Sequence, residues 1–391
     1  MNQTIHALAA GLLAATLAPP LAAAPKDTTI VVAVPAKAGA VDGTRQNSDA
    51  FIWRLLTQFA APVSSSRPSP VEFETWASDE DTFSATPHWP GADAPKKLHA
   101  SVLGAMSAPH GSPIDVTCAP PGNAAVGGFP TTGTPTPCIA EETKRNRPQF
   151  DYIVANNLNT QAGLSAAFAK SFKVAMPAAS ISIKGDWVPV QTLLQWIPSL
   201  GSVGQIEKLY YTNTSGSVQY ALVSLHVSSR QNPNWVWGSF EHQMNPGRCD
   251  SMGCLDSFGA QVPVVRPNQA AVNTQYGACR KTPQLKALMA QAKLSPVWEN
   301  YCLKSTQVDY VAPDGTPNVL GNSVIERIVG NGTVAASSCI ACHAYASFGS
   351  NGKTTGAAAA MLPYNPTGRP IPAVLDGSLQ FDFMWGVLLA P

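Results

Sequence analysis

Three segments in the middle of the chain alternate between apolar and polar residues. They cover residues 180–184, 220–227 and 235–240. Successive side chains of a β-strand point to opposite faces of a sheet, so this period of two predicts three strands. A further strand is predicted near the N-terminus, at residues 28–34.

The third of these segments predicts a strand with two different faces. The alternation places Val236, Phe240 and His242 on one face, and Trp235 and Trp237 on the other. We therefore expect this strand to hold His242 apart from both tryptophans.

A period near 3.6 residues predicts helices elsewhere in the chain. Within residues 49–59, Phe51, Leu55 and Phe59 recur at every fourth position, which places them on one side of a helix. Other helices are predicted within residues 151–173, at 284–293 and at 323–329.

A long region between these elements has little periodicity. Residues 64–137 are rich in proline, glycine, serine and threonine, but Trp76 and Trp89 lie among them. We therefore expect ordered loops rather than a disordered linker. The whole pattern predicts an α+β fold, with a mainly antiparallel β core, peripheral helices and many long loops.

Composition and charge narrow the possible functions. Of 391 residues, 45% are hydrophobic and 13% are charged, against roughly 25% charged in an average soluble protein. Twenty-five basic and 24 acidic residues give a net charge of +1, so we expect no nucleic-acid partner. Beyond the N-terminus no run reaches the roughly 18 apolar residues of a membrane helix, so no membrane span is expected in the mature chain.

The N-terminus resembles an export signal. An apolar run at residues 7–18 is followed by small residues that end at Ala24, before Pro25. The segment before this run lacks lysine and arginine, and an apolar helix that stays in the fold is the alternative. We expect residues 1–24 to be a signal peptide and the mature protein to be periplasmic or secreted, in an oxidising compartment.

One short motif carries recognisable chemistry, the sequence Cys339-Ile340-Ala341-Cys342-His343. In a Cys-x-x-Cys-His motif the two thiols can each add to a haem vinyl group, and the adjacent imidazole becomes the proximal iron ligand. The motif predicts one covalent haem c held by Cys339, Cys342 and His343. We therefore expect two parts in the mature chain, a mixed β-rich body at residues 25–330 and a haem-bearing segment at residues 331–391 that packs on the body.

Three other interpretations of the motif remain open. A structural zinc site would need two more ligands, and Cys249 and Cys254 would complete an all-thiolate set. A thioredoxin-like redox pair and a plain disulfide are the other two.

The six cysteines outside the motif form an even set, which in an exported protein predicts disulfides. Neighbours in the sequence suggest three pairs, Cys118–Cys138, Cys249–Cys254 and Cys279–Cys302.

The sixth ligand of the iron would decide what the haem does. A methionine or histidine there gives a six-coordinate iron that suits electron transfer, whereas an open position favours peroxide or gas chemistry. His242 and Met361 are the leading candidates for this distal position. The others are Met384, which we expect to serve core packing instead, His226 and Met244.

Several blocks of the sequence resemble a known group of proteins. The blocks are FDYIV at 150–154, SIKGDW at 182–187, YALVSLH at 220–226, WVWGSFEH at 235–242 and FDFMW at 381–385, with the single Cys-x-x-Cys-His motif before the last. Their order is similar to that in exported bacterial proteins labelled only "cytochrome c family protein". The resemblance implies haem binding and a redox role, and it implies no substrate.

The sequence therefore predicts a periplasmic monohaem c-type cytochrome that transfers single electrons to or from an unidentified redox partner protein. Electron transfer is favoured over catalysis, and enzymatic activity stays an open question. The alternatives are a peroxidase-like haem oxidoreductase with an open distal site and a non-catalytic ligand-binding protein.

Overall fold

The computed structural model describes most of the chain beyond residue 46. The described residues are 47–64, 70–91, 94, 96–98, 101–102, 138–250, 252–268, 274–324, 326, 337–356 and 368–391. The predicted strand at 28–34 and the predicted signal peptide lie outside them.

A single large antiparallel sheet organises the described residues. Its strands run in the order β1-β3-β4-β6-β7-β10, with β2 paired to β3 and β5 paired to β6. Two two-stranded sheets, β8–β9 and β11–β12, lie apart from it. The bounds are β1 Ala77–Ser78, β2 Ser101–Val102, β3 Cys138–Arg145, β4 Ile181–Pro189, β5 Thr212–Ser215, β6 Val218–Ser229, β7 Val236–His242, β8 Cys254–Leu255, β9 Val264–Val265, β10 Tyr301–Gln307, β11 Ser347–Phe348 and β12 Leu379–Gln380.

Short helices surround the sheet. The α-helices of the described ranges are α1 Ser48–Phe59, α2 Asp79–Thr82, α3 Arg147–Ala155, α4 Gln161–Ala169, α5 Val190–Trp196, α6 Val203–Leu209, α7 Pro283–Gln291, α8 Cys339–His343 and α9 Pro372–Leu375. Single 3₁₀ turns occur at Glu72–Thr75, Pro198–Leu200, Pro296–Asn300 and Trp385–Leu389. The predicted α+β class with a mainly antiparallel core is therefore confirmed.

The three alternating segments are confirmed as β4, β6 and β7. Strand β7 begins one residue later than predicted, because Trp235 has a φ of 59° and cannot continue an extended strand. The predicted helices at 49–59 and 284–293 correspond to α1 and α7.

Two of the helix predictions need revision. The helix expected within 151–173 is present as α4, and a second helix, α3, that was not predicted overlaps the start of this range. Asn157 separates the two, because its φ of 54° interrupts a right-handed helix. Of the helix predicted at 323–329, residues 323, 324 and 326 lie in a turn, and the rest are outside the described residues.

Helix α1 packs on one face of the sheet, which we call the α1 face. A Cβ atom on Gly238 of β7 would lie 2.6 Å from Cγ2 of Ile52, so only glycine lets the helix approach this closely. Next to this contact, the rings of Trp53 and Phe240 pack edge to face at 4.8 Å.

The opposite face of the sheet is polar although much of it is buried. Strand register places seven side chains together on what we call the polar face: Glu141, Lys184, Asp186, Ser224, His226, Ser239 and Glu241. Residues 320–324 cover part of it, where the Ser323 amide donates to Glu241 over 2.8 Å and Asn322 donates to Ser224 over 3.3 Å. Burial of so many polar groups requires partners for them, and this segment supplies several.

Two of the three predicted disulfides are present. Cys249 is bonded to Cys254, and Cys279 is bonded to Cys302, as expected. The third predicted pair involves Cys118, which lies outside the described residues. Among the helices that the structure describes, none combines the length and the apolar character needed to cross a membrane.

Candidate functional site

Helix α8 carries the Cys-x-x-Cys-His motif and is fixed at its start by strand β10. Ser338 caps the helix by accepting a hydrogen bond from the Ala341 amide over 3.3 Å. Gln307, at the end of β10, donates to the Ser338 hydroxyl over 2.8 Å and accepts from the Ile340 amide over 3.0 Å. The first turn of α8 is therefore held in a defined position on the sheet.

Ile340 anchors the other side of the same turn. It is fully buried in a core cluster that also contains Trp235 and Trp237. Cys339, Cys342 and His343 lie three and four residues apart, so they share a different side of the helix. Both cysteines are half-buried there.

The motif cysteines are free thiols in an environment that disfavours the thiolate. Burial raises the pKa of Cys339, and burial together with Cys339 raises the pKa of Cys342 to about 12. A reactive redox pair requires the opposite shift. These shifts give no support to the thioredoxin-like interpretation. The plain disulfide is not formed either, because Cys339 and Cys342 are free thiols.

The zinc interpretation relied on Cys249 and Cys254 as additional thiolate ligands. These two sulfurs are 2.05 Å apart in a disulfide, so they cannot serve as thiolates. No group of three or more potential metal-binding side chains of His, Cys, Asp or Glu occurs among the residues that the structure describes.

His343 has the environment of a metal-ligating imidazole. Its Nδ1 lies 2.7 Å from the carbonyl oxygen of Phe383, and because that oxygen only accepts, Nδ1 carries the proton. Burial lowers the pKa of His343 to about 4, so the ring is neutral at pH 7. The ring packs 4.6 Å from that of Trp237. Nε2 is then the nitrogen with a lone pair for a metal, the arrangement that ligating histidines adopt. These residues fit a haem.

The structure does not bring His242 to His343. His242 stacks on Tyr210 at 3.5 Å, while Trp237, on the other face of β7, contacts His343. Both ring nitrogens of His242 are engaged, Nε2 with the Leu209 carbonyl and Nδ1 as acceptor from the Met244 amide. His242 and Trp237 therefore lie on opposite faces of β7, as the alternation predicted, so His242 is on the face that does not contact His343.

The methionine candidates do not supply a distal ligand within the described residues. Met361 lies outside them. Met384 is buried in the core cluster of Ile340 and accepts a hydrogen bond from Ser182 on its sulfur, so it has the packing role expected of it. Met244 packs against the cluster formed by α5 and α6.

His226 lies closer to the motif than its sequence position suggested. Its Nε2 is 3.3 Å from Glu326 and 2.9 Å from the Asn322 amide nitrogen. Burial alone would lower the pKa of His226, but the Glu326 carboxylate and the neighbouring Cys339 thiol raise it well above its usual value. The alternation in β6, with polar residues at 224, 226 and 228, was the signal in the sequence that could have indicated it.

Charged groups of the polar face surround His226. Lys184 pairs with Glu141 at 2.9 Å, and Asp186 shares a short hydrogen bond with Ser224. Burial raises the pKa of Asp186 to about 7. The motif therefore faces a buried layer of acids and bases rather than an apolar wall.

Comparison with known proteins adds no relationship. No family model matches the chain, and neither a curated protein nor a solved structure matches it.

Proposed function

We propose that this chain is an exported c-type cytochrome that transfers single electrons through one covalent haem. The observation that supports this most is the contact between His343 Nδ1 and the Phe383 carbonyl at 2.7 Å, which fixes a histidine at the end of a helix that also carries two free thiols. A haem iron supplies reversible one-electron chemistry when bound.

Each residue of the site has a separate task in this proposal. The S–H groups of Cys339 and Cys342 would each add across a haem vinyl double bond, which would form one S–C bond and place the hydrogen on the other vinyl carbon, with no oxidant consumed. His343 would hold the iron through Nε2, and the Phe383 carbonyl keeps its ring in one orientation.

The compartment belongs to the same proposal. The two disulfides that the structure contains support an oxidising location, periplasmic or secreted, because such bonds are rare in the cytosol. The resemblance in sequence to exported cytochrome c family proteins agrees with this. The redox partner protein is not identified by any of these observations.

A peroxidase-like haem enzyme is the second candidate function. The observation in its favour is the pair of His226 and Glu326 beside Cys339, since such groups can move protons to and from a substrate. Carbon monoxide binding separates the two functions, because a six-coordinate electron-transfer iron resists it and an open iron accepts it.

The test is production of the full chain, with its N-terminal segment, in a bacterial host that matures c-type cytochromes. We expect a haem-stained band that survives denaturing electrophoresis and acid-acetone extraction. Cys339→Ala combined with Cys342→Ala should abolish the band. As a matched control, Cys249→Ser combined with Cys254→Ser should keep it. A colourless wild-type protein would refute the proposal.

A further inference from the structure

We propose that Asp382 is a positioning residue for His343. Its carboxylate holds a strained two-residue turn at 382–383, and this turn points the Phe383 carbonyl at Nδ1 of His343. The inference rests on the proposed function, because Nε2 of His343 is the atom that would hold the iron. It deepens that function by naming the residue that keeps the proton on Nδ1 and leaves Nε2 free.

The turn at 382–383 has a backbone conformation that residues with a side chain disfavour. Asp382 has a φ of 45° and Phe383 has a φ of 68°, so two consecutive residues lie in the left-handed region. Aspartate tolerates this region better than most residues, whereas a bulky residue such as phenylalanine rarely adopts it. Conformations of this kind persist only where the surroundings impose them, and they cluster at functional sites.

The carboxylate of Asp382 receives hydrogen bonds from three separate parts of the chain. Its Oδ2 accepts from the Met176 amide over 2.6 Å and from Nε of Arg230 over 3.0 Å. Its Oδ1 accepts from the indole of Trp235 over 3.3 Å. Because Asp382 is buried, little water competes for these bonds. They fix the carboxylate and, with it, the backbone of the turn.

Backbone hydrogen bonds tie the same turn to the end of helix α8. The Phe381 amide donates to the Ala346 carbonyl over 2.7 Å, and the Met384 amide donates to the Phe381 carbonyl over 3.0 Å. Ala346 is only three residues beyond His343. The turn and the imidazole are therefore held together, with the Phe383 carbonyl 2.7 Å from Nδ1.

A second route leads from Asp382 to the ring of His343. Trp235, whose indole donates to Asp382, is also left-handed, with a φ of 59°. Its ring lies 6.2 Å from that of Trp237, and the Trp237 ring lies 4.6 Å from that of His343. Asp382 therefore supports two groups that contact the imidazole, the carbonyl at Nδ1 and the indole beside the ring.

The tautomer of His343 is the property that this arrangement controls. A carbonyl that holds the proton on Nδ1 leaves the lone pair on Nε2 and makes the imidazole a more basic ligand. A carboxylate that only stabilised the fold would not affect the position of this proton. The tautomer therefore separates a positioning role from a structural one.

The first measurement needs no haem. In the full chain with Cys339→Ala and Cys342→Ala, NMR of ¹⁵N-labelled histidine reports the tautomer, and His343→Gln in the same background identifies the signals of His343. We expect the Nδ1–H tautomer. Asp382→Asn loses one acceptor oxygen, so it should give a mixture of the two tautomers. An unchanged Nδ1–H tautomer in a folded Asp382→Asn protein would overturn the proposal.

The second measurement uses the haem protein and separates position from charge. Asp382→Asn removes both the charge and the hold on the turn, whereas Asp382→Glu keeps the charge but cannot place a longer side chain on the same donors. Both variants should raise the reduction potential, because a less basic His343 stabilises the ferric state less. If Asp382→Glu keeps the wild-type potential, Asp382 acts through its charge alone and the positioning role is wrong.

Asp256→Asn is the matched control. Asp256 is also buried, and it accepts from the indole of Trp53 over 2.9 Å and from the Gly259 amide over 2.6 Å. This variant should be less stable but should keep the tautomer of His343 and the potential. A change in either would show that the effect is not specific to Asp382.

The failures of the two proposals are distinguishable. If the wild-type chain binds no covalent haem, the proposed function fails. If the haem is present but Asp382→Asn changes neither the tautomer nor the potential, only the positioning role of Asp382 fails.

Discussion

Three histidines illustrate how much the surroundings of a residue decide its chemistry. Burial lowers the pKa of His343 to about 4 and that of His242 to about 3, because desolvation outweighs the hydrogen bond that each ring makes to a backbone carbonyl. His226 is also largely buried, yet its pKa is raised because Glu326 is 3.3 Å away. A neutral ring is the form that binds a metal, and a charged one needs a carboxylate partner.

The lowered pKa of His242 predicts that acid destabilises the folded protein. The unfolded chain protonates this histidine near pH 6.5, but the folded protein does so only near pH 3, so protons favour unfolding between these values. We expect this site to cost about 3 kcal/mol of stability between pH 7 and pH 4. Urea unfolding at several pH values measures it.

The matched variant for this effect is His242→Gln. It should be less stable than wild type at pH 7, because it loses stacking on Tyr210, but its stability should fall less between pH 7 and pH 4. Equal slopes for the two proteins would contradict the assignment of a depressed pKa to His242.

The position of Glu326 predicts an effect on reduction potential that rests on the proposed function. Glu326 lies 3.3 Å from His226, which contacts Cys339, so its carboxylate would lie near a haem attached there. A nearby carboxylate would stabilise the ferric state, which carries one more positive charge than the ferrous state. Glu326→Gln should therefore raise the potential, on the order of tens of millivolts. Redox titration measures this, and Asp151→Asn, at an exposed pair with Arg147, should leave the potential unchanged. A lower potential in Glu326→Gln would count against the placement of Glu326.

At the scale of elements, the approach of α1 to β7 depends on one glycine. Because a Cβ on Gly238 would meet Cγ2 of Ile52 at 2.6 Å and Cγ1 at 3.0 Å, Gly238→Ala should destabilise the protein by about 1–3 kcal/mol. Gly204→Ala, at an exposed position of α6 with no atom within 4 Å, should instead be neutral or slightly stabilising.

A double-mutant cycle tests the cause of that effect. Ile52→Ala removes both atoms that the new methyl group would meet. The combined variant should therefore be more stable than the sum of the two single changes predicts, by about 1 kcal/mol or more. Additive free energies of unfolding would show that the strain lies elsewhere.

At the scale of the whole molecule, the two disulfides constrain the unfolded chain to different extents. They link residues separated by 5 and by 23 positions in the sequence. In the loop-entropy model, loss of Cys249–Cys254 should cost about 2 kcal/mol and loss of Cys279–Cys302 about 3 kcal/mol. Paired serine substitutions and urea unfolding give the comparison. A larger loss for the shorter loop would show that native contacts around it, not chain entropy, dominate.

Much of the fold could be predicted because local patterns dictate it. Alternation predicted β4, β6 and β7, and the spacing of Phe51, Leu55 and Phe59 predicted α1. The break between α3 and α4 was not predicted. It depends on the left-handed backbone conformation of Asn157, and the pattern of apolar residues does not indicate that conformation. The two disulfide pairs were predicted because short loops bring neighbouring cysteines together.

The sequence by itself determined the Cys-x-x-Cys-His motif, the face that each residue of β7 occupies, and the mixed fold class. Only the tertiary structure decided which face of the sheet the motif covers. That choice places Trp237 and His226 beside α8 and His242 behind the sheet. It depends on contacts between residues distant in the sequence, such as Gln307 with Ser338, 31 positions apart, for the helix and Asn322 with His226, 96 positions apart, for the covering segment. Alternation along a strand defines two faces, but it carries no information about which distant segment will pack on either one.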